Sequence, residues 1–196
     1  SNRHVSAVAD QVVKALRAPT RRLRFVYEAG PCGFGTHRYL TSQGEECVVV
    51  NPSSMPKRSG DRIKTDRRDA RQLAVLYRAG ALTTIHIPSE QEEAIRDLLR
   101  CREDLRADLL RARHRLSKFL LRHDQRYTQT KTAWNRHHTE WVRQLRWPLP
   151  ALAHTCAAYM RAIDDVSARL TAIEDNLRTY FTSEPFAEPV RRLRCF

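Results

Sequence analysis

The chain has 196 residues, with 35 Lys and Arg against 22 Asp and Glu, which gives a formal net charge of +13 and a sequence pI near 10.2. Hydrophobic residues make up 41% of it, too much for a wholly disordered protein. No apolar run approaches the roughly 18 to 20 residues that cross a membrane, and the N-terminus lacks the order of a secretory signal. The composition therefore predicts a soluble, cytoplasmic protein of one or two small domains, without a membrane partner.

Positive charge is concentrated towards the N-terminal side of the chain. Residues 1–88 carry 15 basic and 7 acidic side chains, whereas residues 150–196 carry six of each. Thirty of the 35 cations are arginines, whose guanidinium forks hold phosphate with two hydrogen bonds. Nucleic acid is therefore the expected partner, and a solvated surface is the alternative. The densest stretch supplies the expected nucleic-acid-binding residues, which are Lys57, Arg58, Arg62, Lys64, Arg67, Arg68 and Arg71.

The first third of the chain predicts alternating helices and strands. Residues 4–17 have apolar side chains at helical spacing, and residues 22–27 alternate as a strand does and leave Glu28 at its C-terminal end. A short helix at 33–43 and a continuous apolar run at 47–50 follow. Strand, helix and strand in this order form a βαβ unit with parallel strands, so active residues are expected at the C-terminal ends of the strands.

A basic loop then leads into the last elements of a first domain. The loop covers residues 51–64, a helix is predicted over 66–78, and residues 81–87 predict another short strand that ends at Pro88. The expected inner face of the helix consists of Ala70, Leu73, Ala74 and Tyr77.

Two long helices are predicted in the second half. Ser89 and Glu92 have the spacing of a capping box, and the apolar positions that follow repeat every three and four residues to Phe119, interrupted only by Arg102. Residues 155–180 repeat the same pattern. Both helices offer coiled-coil seams, which can pair with each other or join two subunits of a homo-oligomer.

The tryptophans and cysteines have ordinary interpretations. Trp134, Trp141 and Trp147 lie between the long helices and are interpreted as packing residues rather than as base-stacking platforms. The five cysteines are odd in number, and none lies in a CxxC pair or near a histidine at metal-ligand spacing. We therefore expect reduced thiols, without structural zinc or disulfides.

Three carboxylates form the most informative group. Glu28 ends a strand, and Asp66 and Asp69 are three residues apart at the start of a helix, which places them on one face. Oxygen ligands that converge from separate elements are what Mg²⁺ requires, and two-metal phosphodiester chemistry uses several of them. The alternative is structural, with Asp66 as a helix N-cap or first-turn residue and Asp69 as a capping-box partner, because the helix dipole favours acids there. The spacing leaves both interpretations open.

Three stretches around these acids resemble the DEDD-type insertion-sequence transposases. They are FVYEAGPCGFG at 25–35, VVVNPSSMP at 48–56 and KTDRRDARQLA at 64–74, and their order and spacing agree with that family. The family is related to the Piv DNA invertase and has a catalytic domain of the RuvC-like, ribonuclease-H-like fold. The resemblance continues through the long helices.

The resemblance implies an α/β fold in three parts. These are a partial RuvC-like catalytic domain at 1–88, a helical domain of the coiled-coil type at 89–182, and the start of a linker at 183–196 to a further transposase domain. It also implies metal-dependent cleavage and rejoining of DNA strands, with Mg²⁺ or Mn²⁺ as the cofactor. Some members of the family are guided by a structured RNA, so such an RNA is a further partner to consider.

Residue by residue, the family's four metal-binding acids can be placed only in part. The glutamate falls on Glu28 and the last two aspartates on Asp66 and Asp69, which the resemblance makes catalytic. The leading aspartate would lie upstream of Ser1, and the family's serine-bearing domain would lie beyond Phe196. We therefore expect an inactive fragment of a recombinase.

Two alternatives stay open at this stage. The chain could be a non-catalytic module that binds nucleic acid and dimerises, in which case the acids would be helix caps that point away from one another. It could also be a RuvC-like structure-specific nuclease, which shares the fold and the carboxylates but does not need the long paired helices.

Overall fold

The computed structural model describes residues 2–18, 22–54, 65–129 and 133–193. They form a mixed α/β structure that is mostly helical, with one small parallel sheet and long helices, as the sequence predicts. The elements in chain order are α1 (Asn2–Leu16), β1 (Arg24–Glu28), α2 (Gly35–Ser42), β2 (Glu46–Val50), a 3-10 turn (Pro52–Ser54), α3 (Asp66–Arg78), α4 (Glu90–Arg122), α5 (Arg136–Gln144), α6 (Pro150–Phe181) and α7 (Ala187–Leu193).

The chain divides into two compact units, Ser1–Pro88 and Ser89–Phe196. The boundary after Pro88 lies where the sequence analysis places the end of the first domain. None of the helices in the described ranges combines the length and the apolar composition that a membrane span requires.

The first unit is built on two parallel strands. β1 pairs with β2 from Arg24 opposite Glu46 to Glu28 opposite Val50, and α2 connects the strands. The predicted βαβ unit is therefore confirmed, and Glu28 does end its strand.

Helices cover both faces of this small sheet. On one face, Cys47 packs with Val13 of α1 and Leu40 of α2. Successive side chains of a strand face opposite sides, so Glu46 faces away from that cluster. Tyr77 of α3 donates a hydrogen bond of 2.8 Å to Glu46, which places α3 on the opposite face, where it packs against β1.

The predicted inner face of α3 is wrong in part. Leu73 is buried, and Leu76 and Tyr77 are half-buried, but Ala70 and Ala74 are exposed. The helix is rotated so that its large side chains meet the sheet, because a buried leucine removes far more apolar surface from water than an alanine does.

The strand predicted over 81–87 is also wrong. In the described structure this segment forms one antiparallel bridge between Thr84 and Val50. Two backbone hydrogen bonds hold it to β2, from Asn51 to Thr83 at 3.3 Å and from Ile85 to Val49 at 3.0 Å. Among the described residues the pairing does not extend beyond this bridge, so the segment is not a strand.

The second unit opens with the predicted capping box. The Ser89 hydroxyl accepts a 3.2 Å hydrogen bond from the backbone N–H of Glu92, whose carboxylate accepts one of 2.7 Å from the Ser89 N–H. The helix that follows, α4, has 33 residues and α6 has 32. At 1.5 Å per residue each is about 50 Å long, as the repeats predict.

The two long helices pack against each other and run antiparallel. Near one end, the rings of Phe119 and Tyr159 have centroids 5.7 Å apart. Arg102 precedes Phe119 by seventeen residues on α4, and Glu174 follows Tyr159 by fifteen on α6. These two side chains lie 2.8 Å apart. The buried core between the helices includes Leu109, Ala112, Leu116 and Phe119 of the first predicted seam and Ile163 and Val166 of the second, together with Cys156 and Met160, which the repeat did not include.

The seams therefore pair within one chain, which was one of the two arrangements left open. Association of two copies through the long helices stays a prediction. The three tryptophans pack against this core, and each is only half-buried, so part of its ring surface stays accessible.

The described cysteines are free thiols. Cys32 and Cys101 are exposed, and Cys47 and Cys156 are buried. Burial raises the pKa of Cys47 to about 11 and also raises the pKa of Cys156, so both buried thiols stay protonated at neutral pH.

Candidate functional site

The direction of α3 brings its first turn towards the end of β1. Tyr77, near the C-terminal end of α3, contacts Glu46 at the first position of β2. Asp66 and Asp69 lie in the first turn of the same helix. Because α3 packs against β1 and its C-terminal end contacts Glu46, we infer that its N-terminal end is directed towards the sheet edge at which Glu28 ends β1.

The rise of each element puts two of the acids at a similar height. Arg24 and Tyr77 both contact Glu46, at 3.0 and 2.8 Å, and so mark a common starting level. From Arg24 to Glu28 the strand rises about 13 Å at 3.3 Å per residue. From Tyr77 back to Asp69 the helix rises about 12 Å at 1.5 Å per residue. Asp66 lies one turn farther out.

Glu28 and Asp69 lie on the sides of β1 and α3 that pack against each other. Glu28 is four residues from Arg24 on the strand, so both side chains face the α3 side of the sheet. On α3, Asp69 is half-buried and lies four residues before the buried Leu73, which places it on the inner face. Asp66, three residues before Asp69, is exposed on the same side.

Neither aspartate is the N-cap or a capping-box partner of α3, but both lie in its first turn, where the helix dipole favours acids, so the structural interpretation stays open beside the catalytic one. The N-cap of α3 is Thr65, so Asp66 is the first helical residue and Asp69 is one position beyond that of a capping-box partner. Within the described residues, no hydrogen bond or ion pair engages the carboxylates of Glu28, Asp66 or Asp69.

The three acids do not by themselves form a compact ligand group. Among the described residues, no three His, Cys, Asp or Glu side chains are grouped so that they could hold a metal ion. Carboxylate oxygens are the donors that Mg²⁺ and Mn²⁺ prefer, so the chemistry of the donors fits these cations. The number of donors that meet at one point does not reach a complete site, and the predicted metal site stays a prediction.

The predicted basic surface is described only in part. Lys57, Arg58, Arg62 and Lys64 lie outside the described residues, whereas Arg67, Arg68 and Arg71 are exposed on α3.

The outer face of α3 is basic. At 100° per residue, Arg67, Arg71 and Arg78 lie opposite Asp69 and Leu73 on the helix. All three are exposed, and none forms an ion pair with another described residue. This helix therefore presents carboxylates towards the sheet and guanidinium groups towards solvent.

Comparison with known proteins agrees with the resemblance seen in the sequence. The family model for DEDD transposases of the IS110 type, described as Transposase, matches residues 3–124. The chain belongs to this family of insertion-sequence transposases. The matched region contains all three candidate acids and every residue of the predicted basic stretch.

Two members of the transposase family illustrate the extent of the similarity. The transposase for insertion sequence element IS1533 of Leptospira borgpetersenii is 36% identical over 195 residues, which are 99% of this chain and 56% of the relative. A protein of Sinorhizobium fredii (strain NBRC 101917 / NGR234), named as a candidate transposase y4qE, is 40% identical over 141 residues, 72% of this chain and 36% of the relative. The chain thus spans about half or less of the length of these relatives. No solved structure matches it.

Sequence reasoning missed the contact that orients this site. Tyr77 was placed on the inner face of its helix, but its partner Glu46 was not identified. No local signal could reveal this pair, because the two residues are 31 positions apart and meet only when α3 packs on the sheet.

Proposed function

We propose that this chain is part of an insertion-sequence transposase that cuts and rejoins DNA in a metal-dependent reaction. In this proposal, the first unit is a partial RuvC-like domain that contributes three acids of the catalytic centre. The proposal is supported by the position of Glu28 at the end of β1 and of Asp66 and Asp69 in the first turn of α3, all inside the region matched by the family model.

In the proposed centre, Glu28, Asp66 and Asp69 would hold Mg²⁺ or Mn²⁺. A divalent cation supplies charge that screens the phosphate and activates the attacking oxygen. The half-buried Glu28 and Asp69 are held by the strand and by the inner face of α3, whereas Asp66 is exposed and can turn towards the ligand. Without a counter-charge, the three carboxylates would repel the DNA backbone.

The arginines of α3 would position DNA rather than react with it. Arg67, Arg71 and Arg78 form an exposed row that follows one side of the helix. Contacts of this kind hold the phosphate backbone and set its orientation without reading the base sequence. The intact transposase would add a further acid, and we also propose that it works as a homo-oligomer and can use a structured guide RNA.

Cation binding by the chain tests this proposal without requiring activity. Mn²⁺ is titrated into the purified chain and followed by water-proton relaxation, for the wild type and for Glu28→Gln and Asp69→Asn. We expect each substitution to weaken Mn²⁺ binding by about tenfold or more, because losing even a residue that only orients the ligands of a metal site commonly has an effect of this size. The matched control is Asp104→Asn, which removes an exposed carboxylate of α4 and should leave binding unchanged.

The same proteins separate the catalytic proposal from the non-catalytic alternative. We expect the chain by itself to bind DNA but not to join strands, because Glu28, Asp66 and Asp69 match only three of the four metal-binding acids that the family resemblance implies. Equal Mn²⁺ affinity in all four proteins would contradict the carboxylate site and favour a module that only binds nucleic acid. Robust strand joining by the chain alone would contradict its expected inactivity.

A further inference from the structure

A cavity of about 320 Å³ opens in the second unit, between the C-terminal part of α4 and α5. Aromatic rings of Tyr127, His138 and Trp141 line it, together with Lys118 and Gln125. This volume lies at the lower end of the range for pockets that bind small organic groups.

Buried polar atoms without partners are concentrated around this cavity. Four buried side-chain nitrogen or oxygen atoms of the described residues have no hydrogen-bond partner. Two of them, the Tyr127 hydroxyl and Nδ1 of His138, belong to residues that line the cavity, and His138 is only 6% exposed. A third, Nε of Arg113, belongs to a guanidinium group that lies 5.5 Å from the ring centroid of Trp134. Because buried polar groups are normally paired, two of them on residues that line one cavity indicate a guest with hydrogen-bonding edges.

The aromatic rings form a continuous cluster around these atoms. The ring centroid of His138 lies 5.0 Å from that of Trp134 and 5.1 Å from that of Tyr127, and Tyr127 lies 5.3 Å from Trp141. The backbone φ of Trp134 is +68°, a left-handed conformation that is strained for a bulky side chain and is found mostly where function requires it. Burial lowers the pKa of His138, so its ring is neutral at pH 7 and can either donate or accept through Nδ1.

The segment of the chain that forms the cavity is rich in basic residues. Residues 109–147 contain ten Lys and Arg against two Asp and Glu, whereas residues 89–108 contain four against seven. Lys118 and Arg122 are exposed and form no ion pair within the described ranges. Such a patch is the electrostatic signature of a site that attracts phosphate.

We propose that this cavity, with Tyr127, Trp134, His138 and Trp141 around it, binds a single unstacked nucleobase of a looped or single-stranded nucleic acid. Flat aromatic surfaces with hydrogen-bonding groups at their edges suit a base that has left its stack, and the basic rim holds the adjoining phosphates. A base inside a duplex cannot enter without being flipped out. The inference rests on the proposed function only in taking nucleic acid as the partner, and it requires neither the cation nor the carboxylates of the first unit.

Binding to strands with and without bases tests the pocket. The probe is a fluorescent single strand of roughly twelve nucleotides, prepared as DNA and as RNA, each with a matched strand whose central positions are abasic. Fluorescence anisotropy with the whole chain should show the intact strand bound about 5- to 150-fold more tightly than the abasic strand, the range expected for one stacked base. The DNA and RNA arms show which nucleic acid supplies the base.

Substitutions separate base recognition from charge. Tyr127→Phe keeps the ring and removes the unpartnered hydroxyl, so it should reduce the preference for the intact strand about threefold or more. Its control is Tyr180→Phe, which changes an exposed tyrosine far along α6 and should have no effect. Lys118→Ala should weaken binding of both strands equally and lower the salt dependence. Circular dichroism melting checks that each variant is folded.

Equal affinity for intact and abasic strands would contradict base binding by this cavity. A folded Tyr127→Phe variant that kept the wild-type preference for the intact strand would contradict it as well. The cavity would then hold only ordered water. Absence of binding to any strand at low salt would overturn both this inference and the nucleic-acid partner of the proposed function, whereas failure of Mn²⁺ binding alone would leave the pocket unaffected.

Discussion

Glu46 is the residue whose contacts set the geometry of the first unit. It accepts the 2.8 Å hydrogen bond from Tyr77 and forms ion pairs with Arg24 at 3.0 Å and with Arg22 at 4.0 Å. The hydrogen bond from Tyr77, followed by the positive charge of the arginines, lowers the pKa of Glu46. The same hydrogen bond raises the pKa of Tyr77. Because this contact holds the C-terminal end of α3, it also determines where Asp69 lies at the other end.

Replacing Tyr77 with phenylalanine tests this contact through pH. A carboxylate whose folded-state pKa is lowered stabilises the fold above its ordinary value, here 4.5, and loses that contribution as the pH falls through the lowered pKa. We therefore expect Tyr77→Phe to raise the pKa of Glu46. Its destabilisation should be greatest near neutral pH and should shrink in acid.

NMR titration of the Glu46 carboxyl group, with urea unfolding at several pH values, measures both effects. Tyr180→Phe, at an exposed site on α6, is the control. Stability curves of Tyr77→Phe and wild type that run parallel from neutral pH to acid would contradict this role of the Tyr77 hydroxyl.

At the scale of elements, the antiparallel helix pair depends on apolar seams and on one polar contact between them. Arg102 stands where the repeat of α4 would have an apolar residue, and it is half-buried. Its guanidinium group lies 2.8 Å from Glu174 of α6 and 2.6 Å from Glu103 of its own helix. The interruption that was visible in the sequence therefore has a partner on the facing helix, which specifies the register of the pair.

A double-mutant cycle on Arg102 and Glu174 measures this contact. Their side chains are 28% and 31% exposed, so solvent screens the pair only in part, and we expect a coupling free energy of about 0.5 to 1 kcal/mol. The exposed pair of Asp97 and Arg100, whose side chains are 66% and 71% exposed, should give a coupling nearer to zero. Urea unfolding provides all the values.

The Arg102→Leu variant tests whether the contact with Glu174 contributes to the register of the helix pair rather than to the stability of the fold. Since an apolar residue at this position would extend the seam, we expect Arg102→Leu to be neutral or stabilising, although Arg102→Ala destabilises. Equal coupling in the exposed and the half-buried pair would show that the contact between Arg102 and Glu174 contributes nothing specific.

At the scale of the whole molecule, the described residues carry exposed cations in both units. In the first unit exposed arginines follow the outer face of α3, and in the second Lys118 lines the aromatic cavity between α4 and α5. Residues 150–196, which include the second long helix, have balanced charge. Because each phosphate contact releases counterions, such surfaces give an affinity that falls steeply as salt rises.

The salt dependence of DNA binding shows whether the row on α3 is used. For a duplex, we expect the double variant Arg67→Ala, Arg71→Ala to bind more weakly whatever the base sequence. The slope of log affinity against log salt should fall by about 2, since each lost phosphate contact removes about 0.9. The control removes the same charge from α6, with Arg161→Ala and Arg169→Ala, and should leave the slope unchanged. Identical slopes in the two double variants would show that the arginines of α3 are not part of the DNA surface.

The secondary structure could be predicted largely from local sequence. The strand that ends at Glu28, the capping box at Ser89 and the two heptad seams depend on residues within a few positions of one another, and all are present in the structure. The strand predicted at 81–87 is wrong, because a strand needs a ladder of hydrogen-bonded partners and this segment forms only a single described bridge to β2.

The candidate acids were likewise found in the sequence, through the motifs around Glu28, Asp66 and Asp69. Which face of α3 turns inward was decided by packing: the sheet takes the side with Leu73 and Asp69 and leaves the alanines to solvent. The pairing of the long helices within one chain and the meeting of Tyr127 with His138 were also decided by the tertiary structure. Periodicity specifies which side chains share a face of one element, but contacts between elements follow from how those faces pack, and the one-dimensional pattern does not contain that information.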